Sequence, residues 1–431
     1  MPSRRIRITA VLAAVPVLLI ALQIVASRNG FLGPVESLWL DYTGTPRSVT
    51  VPWAGLGLAL IGLSWRRRFI AVGAAAGIDI AYQVVRTLLG GPLALGNGPV
   101  IVLTGIVIIA AWRWRDKERG NALHAAALGI LLVLSSKVAE VWLFVTVLAG
   151  PQVLDEHLVL VDHALGDPSW LMGQVVEFFG PVLYHVLHWV YIELPVGAMI
   201  VTIWQLRNVV KTGAWPSHYL VRTFLVVGLI GPIFYVIFPV VGPMFAYGSA
   251  GLGFQVGDYW PHVVPPIDFT PGALPFGDFA PRNCMPSLHT AWALSIFVHS
   301  RRDASGAPAP RWLRWGGTFW LIATLAATLG FGYHYGADLV AGVVVLLAIE
   351  SALREPERGW DRVRIRLVAA GAALLAALLL SYRYLSVAYA EYPVPAALVI
   401  ITLLTAYITA FYRTWFAADR EPVRIEETAR A

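Results

Sequence analysis

Two short polar segments combine a histidine with residues that could orient or activate it. The first covers residues 282–290 around His289, and the second covers residues 332–338 around His334. His334 and Asp338 are four residues apart, so on a helix they would share one face. A carboxylate in that position can bind one ring nitrogen and leave the other free as a nucleophile. The spacing therefore predicts nucleophilic catalysis by a histidine.

Composition places both segments in a membrane protein. The chain has 431 residues, of which 58% are hydrophobic and 13% are charged, and its mean hydropathy is +0.67. These values are too apolar for a soluble globular protein and predict an all-α polytopic membrane protein. The first apolar run, residues 8–26, is long enough to span, and no clear cleavage site follows it. We therefore expect a retained helix rather than a signal peptide.

Apolar runs of about 20 residues, the length that crosses the hydrocarbon core, predict about twelve transmembrane helices. The runs are 8–27, 48–65, 69–89, 98–114, 122–148, 182–206, 218–241, 286–301, 314–332, 334–353, 365–386 and 393–412. The eighth run is short, so we expect its helix to begin at Pro286, a residue suited to a first turn. His289 and His334 are 45 residues apart, room for one helix into the membrane and one back. Both should therefore emerge on the same face.

The distribution of basic residues predicts the orientation of these helices. With the amino terminus inside, 25 of the 32 Lys and Arg residues fall in inside segments, the bias typical of cytoplasmic loops. We expect a multi-pass protein of the plasma membrane, with both termini cytoplasmic and both histidine segments on the extracytoplasmic face. The net charge of +6 then reflects topology, and we expect no nucleic-acid partner.

The runs and loops suggest three parts. Residues 1–150 would form an amino-terminal membrane domain of about five helices with no evident role. Residues 151–355 would form the catalytic helical domain, and residues 356–431 would add two transmembrane helices and a cytoplasmic tail. The outside loop 242–285 is rich in Pro, Gly and aromatic residues. A loop of that length is usually functional or disordered, and its aromatic content favours a lid over the site.

The two histidine segments resemble a known family. The motif Met-Pro-Ser-Leu-His at 285–289, followed by His-x-x-x-Asp at 334–338, resembles the type 2 phosphatidic acid phosphatase superfamily. The Pro-Ser-Leu-His form, together with residues 235–243, resembles the branch that contains inositol phosphorylceramide synthase. The resemblance covers roughly residues 180–355 and implies a helical bundle of the lipid phosphatase type in the carboxy-terminal half.

The resemblance also implies roles for individual residues. His334 would attack phosphorus to form a phosphohistidine, and Asp338 would orient it. His289 would protonate the leaving alcohol. Ser287, with backbone N–H groups at a helix start, would hold phosphate oxygens. This set of residues requires no cofactor and no metal ion.

The sequence departs from the family pattern at two phosphate-binding arginines. Pro243 is followed by Met244 rather than by arginine, and the third motif is preceded by Ala327 and Thr328 rather than by Ser-Arg. Arg282 is the one basic residue of an outside loop near the second motif. We therefore predict that Arg282 binds phosphate, with anchoring of the loop as the alternative.

Two further polar pairs have a structural explanation beside a functional one. His185 and His188 could form half of a metal site, but no further ligands with suitable spacing follow, so polar packing near the outer interface is favoured. Lys137 and Glu140 lie within the fifth apolar run, where charges are often functional. A buried pair of opposite charges could equally be structural.

Together these features predict an enzyme that acts on a lipid phosphate in the bilayer. Transfer of a phospho-headgroup to a polyol is favoured over hydrolysis by a lipid phosphate phosphatase, because of the Leu288 form of the motif, the two absent arginines and the long loop. A transporter or scaffold is the alternative from a different class. Against it, neither half shows the paired broken helices of a midplane binding site.

The predicted sidedness can be tested with cysteine labelling. In intact cells an impermeant maleimide should label Cys284, the only cysteine, or a cysteine placed at Asp278 if Cys284 is buried. A cysteine placed at Ser305 should react only after permeabilisation, because we predict that it is cytoplasmic. The reverse labelling pattern would place the site on the cytoplasmic face.

Overall fold

The chain is almost entirely helical, as its composition predicts. A computed structural model describes residues 4–150, 152–248, 259–275, 280–303 and 306–417. Within these ranges eighteen α-helices are accompanied by one pair of two-residue antiparallel strands, β1 (Gln152–Val153) and β2 (Leu274–Pro275). Part of the predicted loop lid and the predicted cytoplasmic tail, residues 418–431, lie outside the described residues.

Six helices make up the amino-terminal part, and each predicted apolar run in this region overlaps one of them. They are α1 (Arg4–Arg28), α2 (Pro34–Thr43), α3 (Thr50–Ile61), α4 (Trp65–Leu88), α5 (Asn97–Trp112) and α6 (Asp116–Ala149). The helix α2 is additional to the prediction. At 34 residues α6 is the longest of the six.

The central part contains both histidine segments. Its helices are α7 (Asp155–Ala164), α8 (Pro168–Ile192), α9 (Leu194–Gln205), α10 (Val209–Thr212), α11 (Leu220–Ile237), α12 (Pro243–Tyr247), α13 (Leu288–His299), α14 (Arg311–Gly330) and α15 (Gly336–Leu353). The chain ends with α16 (Arg362–Tyr384), α17 (Ser386–Glu391) and α18 (Pro393–Tyr412), together with a 3₁₀ turn at Pro356–Arg358 and a π-helical turn at Arg413–Ala417. His289 therefore lies on α13, and His334 lies in the loop between α14 and α15.

Seven described helices are long and apolar enough to cross a membrane, which indicates a membrane protein. They are Trp65–Leu88, Asp116–Ala149, Pro168–Ile192, Leu220–Ile237, Gly336–Leu353, Arg362–Tyr384 and Pro393–Ala417. Three shorter apolar helices accompany them, at Val15–Arg28, Thr50–Ile61 and Asn97–Trp112. The prediction of twelve spans is not confirmed. One reason is that α13 has only 12 residues, about 18 Å of helix against a hydrocarbon core of about 30 Å.

The predicted single helix over residues 182–206 is wrong. In the structure α8 begins much earlier, at Pro168, and bends at Gly180, where φ is +66° and Pro181 follows. It ends at Ile192, and α9 begins two residues later. Glu193 occupies the break and accepts hydrogen bonds from the hydroxyl of Thr50 at 3.0 and 3.2 Å. A polar contact from the amino-terminal part therefore marks the break.

The amino-terminal helices pack directly against the bundle that carries the histidines. Leu58 of α3 and Leu128 of α6 share one buried apolar cluster with Met199 of α9 and Val221 of α11. The side chains of these helices interdigitate across the boundary, so the two parts form a continuous core at this point.

A buried ion pair joins α2 and α6 in the amino-terminal part. Lys137 Nζ lies 2.7 Å from Asp41 Oδ2, and both side chains are almost fully buried. Glu140 instead contacts Arg47, with 2.5 Å between Oε1 and Nη1. Our pairing of Lys137 with Glu140 is therefore wrong, because α2 brings a closer carboxylate to α6. Each charge has a partner, as burial requires.

Candidate active site

The two predicted histidines face each other at one end of the bundle. His334 precedes α15 and His289 lies in the first turn of α13, and their ring centroids are 6.3 Å apart. The expectation that both segments emerge on the same face agrees with this placement. A reacting group between the rings would be within reach of both, as a nucleophile and an acid require.

His334 does not lie on helix α15, although its spacing to Asp338 predicts this. The helix begins at Gly336 with Tyr335 as its N-cap, so His334 belongs to the preceding loop. Its Nδ1 still lies 3.4 Å from Asp338 Oδ2, because the first turn directs the carboxylate back toward the loop. This distance exceeds the usual N–H···O length of about 2.9 Å. Catalytic hydrogen bonds often shorten only when substrate binds.

Asp338 also caps its own helix. Its Oδ2 accepts a hydrogen bond of 2.8 Å from the backbone N–H of Tyr335, the arrangement of a capping box. Among the described residues, neither Asp338 Oδ1 nor His334 Nδ1 has a hydrogen-bond partner. Buried polar atoms without partners are uncommon, and both of these belong to the pair that could act on a ligand.

Backbone hydrogen bonds fix the loop that carries His334. The N–H groups of Tyr333 and His334 both donate to the carbonyl of Thr328, at 3.2 and 3.1 Å, and the N–H of Met244 donates to the carbonyl of Gly332 at 2.8 Å. Gly332 has φ +65°, and a Cβ there would lie 2.9 Å from the Met244 nitrogen, so the position requires glycine. Met244 and Thr328 occupy the two positions where the family has arginines. Both hold this loop through their backbones.

Burial favours the neutral form of His334. Its side chain is 3% exposed and lies just outside the span that begins at Gly336. Burial lowers its pKa from 6.5 to about 3, against the smaller opposing effect of a hydrogen bond with the Cys284 backbone. A neutral imidazole keeps the lone pair that a nucleophile needs.

Aromatic side chains surround His289. Its ring stacks on Tyr191 of α8, with centroids 4.0 Å apart and planes at 17°, and it meets Trp292 edge-on at 5.9 Å. Tyr333 lies against Tyr191 at 5.2 Å. These contacts fix the plane of the imidazole. The sequence did not single them out, because 12% of the chain is aromatic and their spacing carries no signal.

Ser287 caps α13 rather than lying within its first turn. The helix begins at Leu288 instead of the predicted Pro286, because Ser287 Oγ accepts hydrogen bonds from the N–H and the hydroxyl of Thr290, at 3.3 and 3.0 Å. The backbone N–H of Ser287 donates to the carbonyl of Asp338 at 3.0 Å. Ser287 thereby joins the starts of α13 and α15.

One backbone N–H at the start of α13 is free to bind an anion. The N–H groups of Thr290 and Ala291 both bind Ser287. Within the part of the chain that the structure describes, the N–H of His289 has no acceptor. This donor lies beside the imidazole that faces His334.

Arg282 is buried and binds backbone carbonyls. It is 1% exposed, its Nε donates to the carbonyl of Gly150 at 3.0 Å, and its Nη1 donates to the carbonyl of Ala280 at 2.6 Å. These bonds join the end of α6 to the loop before α13. The contacts favour the anchoring alternative, and phosphate binding by Arg282 stays a prediction.

Cys284 is a buried thiol behind His334. Its Sγ donates to the carbonyl of Tyr333 at 2.8 Å, and burial raises its pKa well above the usual value. A labelling test therefore depends on the engineered cysteines, and positions 278 and 305 lie outside the described residues. Cys284, His334 and Asp338 have donor atoms within 4.8 Å of one another, as a metal site would need. A protonated thiol is a poor ligand for one.

A second cluster joins α13 and α15 at their opposite ends. Glu350 Oε1 lies 3.0 Å from Nε2 of His218, 3.0 Å from Nε2 of His299 and 2.8 Å from Nη2 of Arg354. The hydroxyl of Thr223 donates to Oε2 at 2.6 Å. The two histidines and the glutamate have the donor set of a metal site, but a guanidinium already binds the carboxylate. We interpret the cluster as a structural link.

His185 and His188 are exposed on α8. The ring of His188 stacks on Tyr184, with centroids 5.8 Å apart and planes at 10°. Neither histidine belongs to a three-donor cluster in the described ranges. Polar packing, the favoured explanation of this pair, fits their placement.

Two buried carboxylates of α7 bind backbone N–H groups around the site, and no sequence pattern singles them out. Asp155 accepts hydrogen bonds from the N–H groups of Val241 and Gly242 at 3.1 and 2.9 Å, and from the hydroxyl of Tyr335 at 2.9 Å. Asp162 accepts one from the N–H of Ala337 at 3.1 Å. Burial raises the pKa of Asp155 to about 6, although these hydrogen bonds oppose the shift.

Comparison with known proteins finds a family whose sequence pattern matches the region that contains the site. Residues 156–352 match the PAP2 superfamily. A second match, to a domain of unknown function (DUF5933), covers residues 6–145. No curated protein and no solved structure matches. The PAP2 match spans both histidine segments and supports a membrane enzyme of the phosphatase or phosphotransferase type. It does not confirm the inositol phosphorylceramide synthase branch.

The importance of Asp155 can be tested by an isosteric change. Asp155→Asn would turn an amide NH₂ toward donors that the carboxylate now accepts, and an unsatisfied buried donor costs about 1–3 kcal/mol. We expect a free energy of unfolding lower by about 2 kcal/mol, measured by denaturation in detergent, and a loss of turnover. Asp268→Asn, at an exposed position of the same region, is the matched control. Equal stability of the two variants would contradict this role.

Proposed function

We propose that this protein is a membrane phosphotransferase that moves a phospho-headgroup from a lipid donor to a polyol through a phosphohistidine on His334. The observation that carries the proposal is the facing pair of imidazoles, 6.3 Å apart, with the carboxylate of Asp338 behind one of them. The match of residues 156–352 to the PAP2 superfamily supports the same class of chemistry.

The proposed reaction has two displacements. In the first, Nε2 of His334 attacks phosphorus, an N–P bond forms, and the P–O bond to the lipid alcohol breaks while the imidazolium of His289, which forms when the anionic phosphate binds beside it, donates a proton to the departing oxygen. In the second, the hydroxyl of the acceptor loses its proton to His289 and attacks phosphorus, and the N–P bond breaks. Asp338 would hold Nδ1–H throughout, which keeps Nε2 unprotonated and directed at the substrate.

The phosphate oxygens would be held mainly by neutral donors. The free N–H of His289 and the hydroxyl of Ser287 lie at the start of α13, where the helix dipole favours an anion. Arg282 is the proposed cation, and it also donates to the backbone carbonyls of Gly150 and Ala280. A site with so little positive charge suits a phosphodiester, which carries one negative charge, better than a phosphomonoester dianion.

Transfer to an alcohol requires that water be kept from the phosphoenzyme. The loop 242–285 would serve this purpose, because its described parts pack over the His334 loop. A Cβ on Gly332 would lie 2.7 Å from the side chain of Trp260, and the backbone N–H of Trp260 donates to the carbonyl of Tyr247 at 2.9 Å. The orientation with this end outside the plasma membrane, and both termini inside, is part of the proposal and is supported by the basic residues.

The roles of the two histidines can be separated by the leaving group. His334→Ala should abolish both turnover and phosphoenzyme, because the nucleophile is gone. His289→Ala should slow phosphoenzyme formation from a lipid by about 10²-fold or more, the usual cost of a lost general acid. The loss should be much smaller with an activated aryl phosphate, whose leaving group needs no proton.

The measurements are donor turnover and trapping of acid-labile, base-stable phosphate on the protein. His185→Ala is the matched control, because His185 is an exposed histidine of α8 and should leave both rates unchanged. Normal activity in His334→Ala would overturn the mechanism.

A transferase and a phosphatase differ in whether the phosphoenzyme reacts mainly with a polyol or with water, and this ratio can be measured. Purified protein would be given a phospholipid donor with and without candidate polyols, and transfer product would be compared with released phosphate or phospho-headgroup. We expect transfer to exceed hydrolysis, because few charges clamp the phosphate and the loop excludes water. Efficient hydrolysis of a phosphomonoester lipid without transfer to any polyol at millimolar concentration would instead identify a phosphatase.

A further inference from the structure

A large cavity lies between the amino-terminal helices and the catalytic bundle. Its volume is about 680 Å³, within the range of about 300–1,000 Å³ typical of ligand pockets. The walls are mostly apolar, with Leu18 of α1, Leu132 and Leu143 of α6, and Leu225 and Leu229 of α11 among the lining residues. Neither part of the chain encloses this space alone.

The cavity reaches the candidate active site. His289 and Trp292 of α13 line it, and so does Tyr191, whose ring stacks on His289 at 4.0 Å. The ring of His289 in turn faces His334 at 6.3 Å. His289 therefore belongs both to the wall of the cavity and to the pair of facing imidazoles, so a lipid bound between the imidazoles would have the cavity next to it.

The charged groups in the wall are already neutralised. Lys137 lines the cavity and is paired with Asp41 at 2.7 Å, while Glu140 and Arg47, both in the wall, are paired with each other at 2.5 Å. Each ion pair contributes one positive and one negative charge. The cavity therefore offers no net charge to a headgroup, and its chemistry suits an uncharged hydrocarbon.

We infer that this cavity binds the hydrocarbon chain of the lipid donor while the donor's phosphate lies between His289 and His334. The inference rests on the proposed function and gives the amino-terminal helices a role, since α1 and α6 complete the wall of the cavity. Lipid tails are as apolar as leucine side chains, so moving a chain from bilayer to cavity gains little from the hydrophobic effect. Selectivity would come from shape, as a limit on the length and bulk of the chain.

Photocrosslinking tests the occupant directly and does not depend on turnover. A phosphodiester lipid with a diazirine at the end of its chain would be irradiated with the full-length protein and also with His334→Ala, which can bind but not react. We expect labelled peptides from residues 131–143 of α6 in both proteins. Labelling confined to lipid-facing surfaces, such as that of α4, would overturn the inference whether or not the protein is a phosphotransferase.

A matched pair of substitutions tests the effect on selectivity. Ala139 lines the cavity on α6, and Ala139→Leu would reduce its volume. Ala74 is exposed on α4, so Ala74→Leu adds the same atoms outside the cavity. We expect Ala139→Leu to lower kcat/KM for a long-chain donor relative to a short-chain donor by roughly tenfold, the low end for a misfit of a few methylene groups in a pocket. Ala74→Leu should leave that ratio unchanged.

A soluble aryl phosphodiester distinguishes the two possible failures. This substrate has no chain, so wild type and both variants should process it equally. Absence of that activity in all three proteins would count against the proposed function, and the crosslinking result would still decide the cavity. Equal activity on the aryl substrate with an unchanged chain-length ratio in Ala139→Leu would overturn the cavity inference alone.

Discussion

The carboxylate of Asp338 is the group on which the catalytic end of the bundle depends. One of its oxygens caps α15 through the N–H of Tyr335 at 2.8 Å and lies 3.4 Å from His334 Nδ1. The first N–H groups of any helix need acceptors from outside the helix, and the proposed nucleophile needs an acceptor behind its ring. A single side chain meets both needs, so the position of the imidazole and the start of the helix cannot vary independently.

This arrangement is stable only because the surrounding loops are also anchored from within. Asp155 binds two backbone N–H groups and the hydroxyl of Tyr335, and Asp162 binds the first turn of α15. Buried backbone groups that lack a partner are costly, and a loop inside an apolar bundle has few sources of partners. Carboxylates on α7 supply them. Asp155 and Asp162 thus hold the loops of the site in place through buried hydrogen bonds.

The sequence predicts the helices better than the breaks between them. Every predicted apolar run overlaps a described helix, because in lipid the backbone must satisfy its own hydrogen bonds. The break at Glu193 could not be foreseen, since its partner Thr50 is 143 residues away in the chain.

The same reasoning applies to the site. His289, His334 and Asp338 could be picked out because their spacing is local, and the structure brings them together. Tyr191 and Asp155 could not, because their contacts depend on how distant helices pack. Asp155 and Tyr335 are 180 residues apart, and neither residue type nor spacing marks such a contact in one sequence.

The helices α13 and α15 are fixed to each other at both ends. At one end the N–H of Ser287 binds the carbonyl of Asp338, and at the other His299 lies 3.0 Å from Glu350. Rotation of either helix about its axis, or sliding of one along the other, would break a buried contact at one end. We therefore expect the separation of the two imidazoles to change little during a reaction, and the exchange of substrate and product to come from movement of the overlying loop or of the wall formed by the amino-terminal helices.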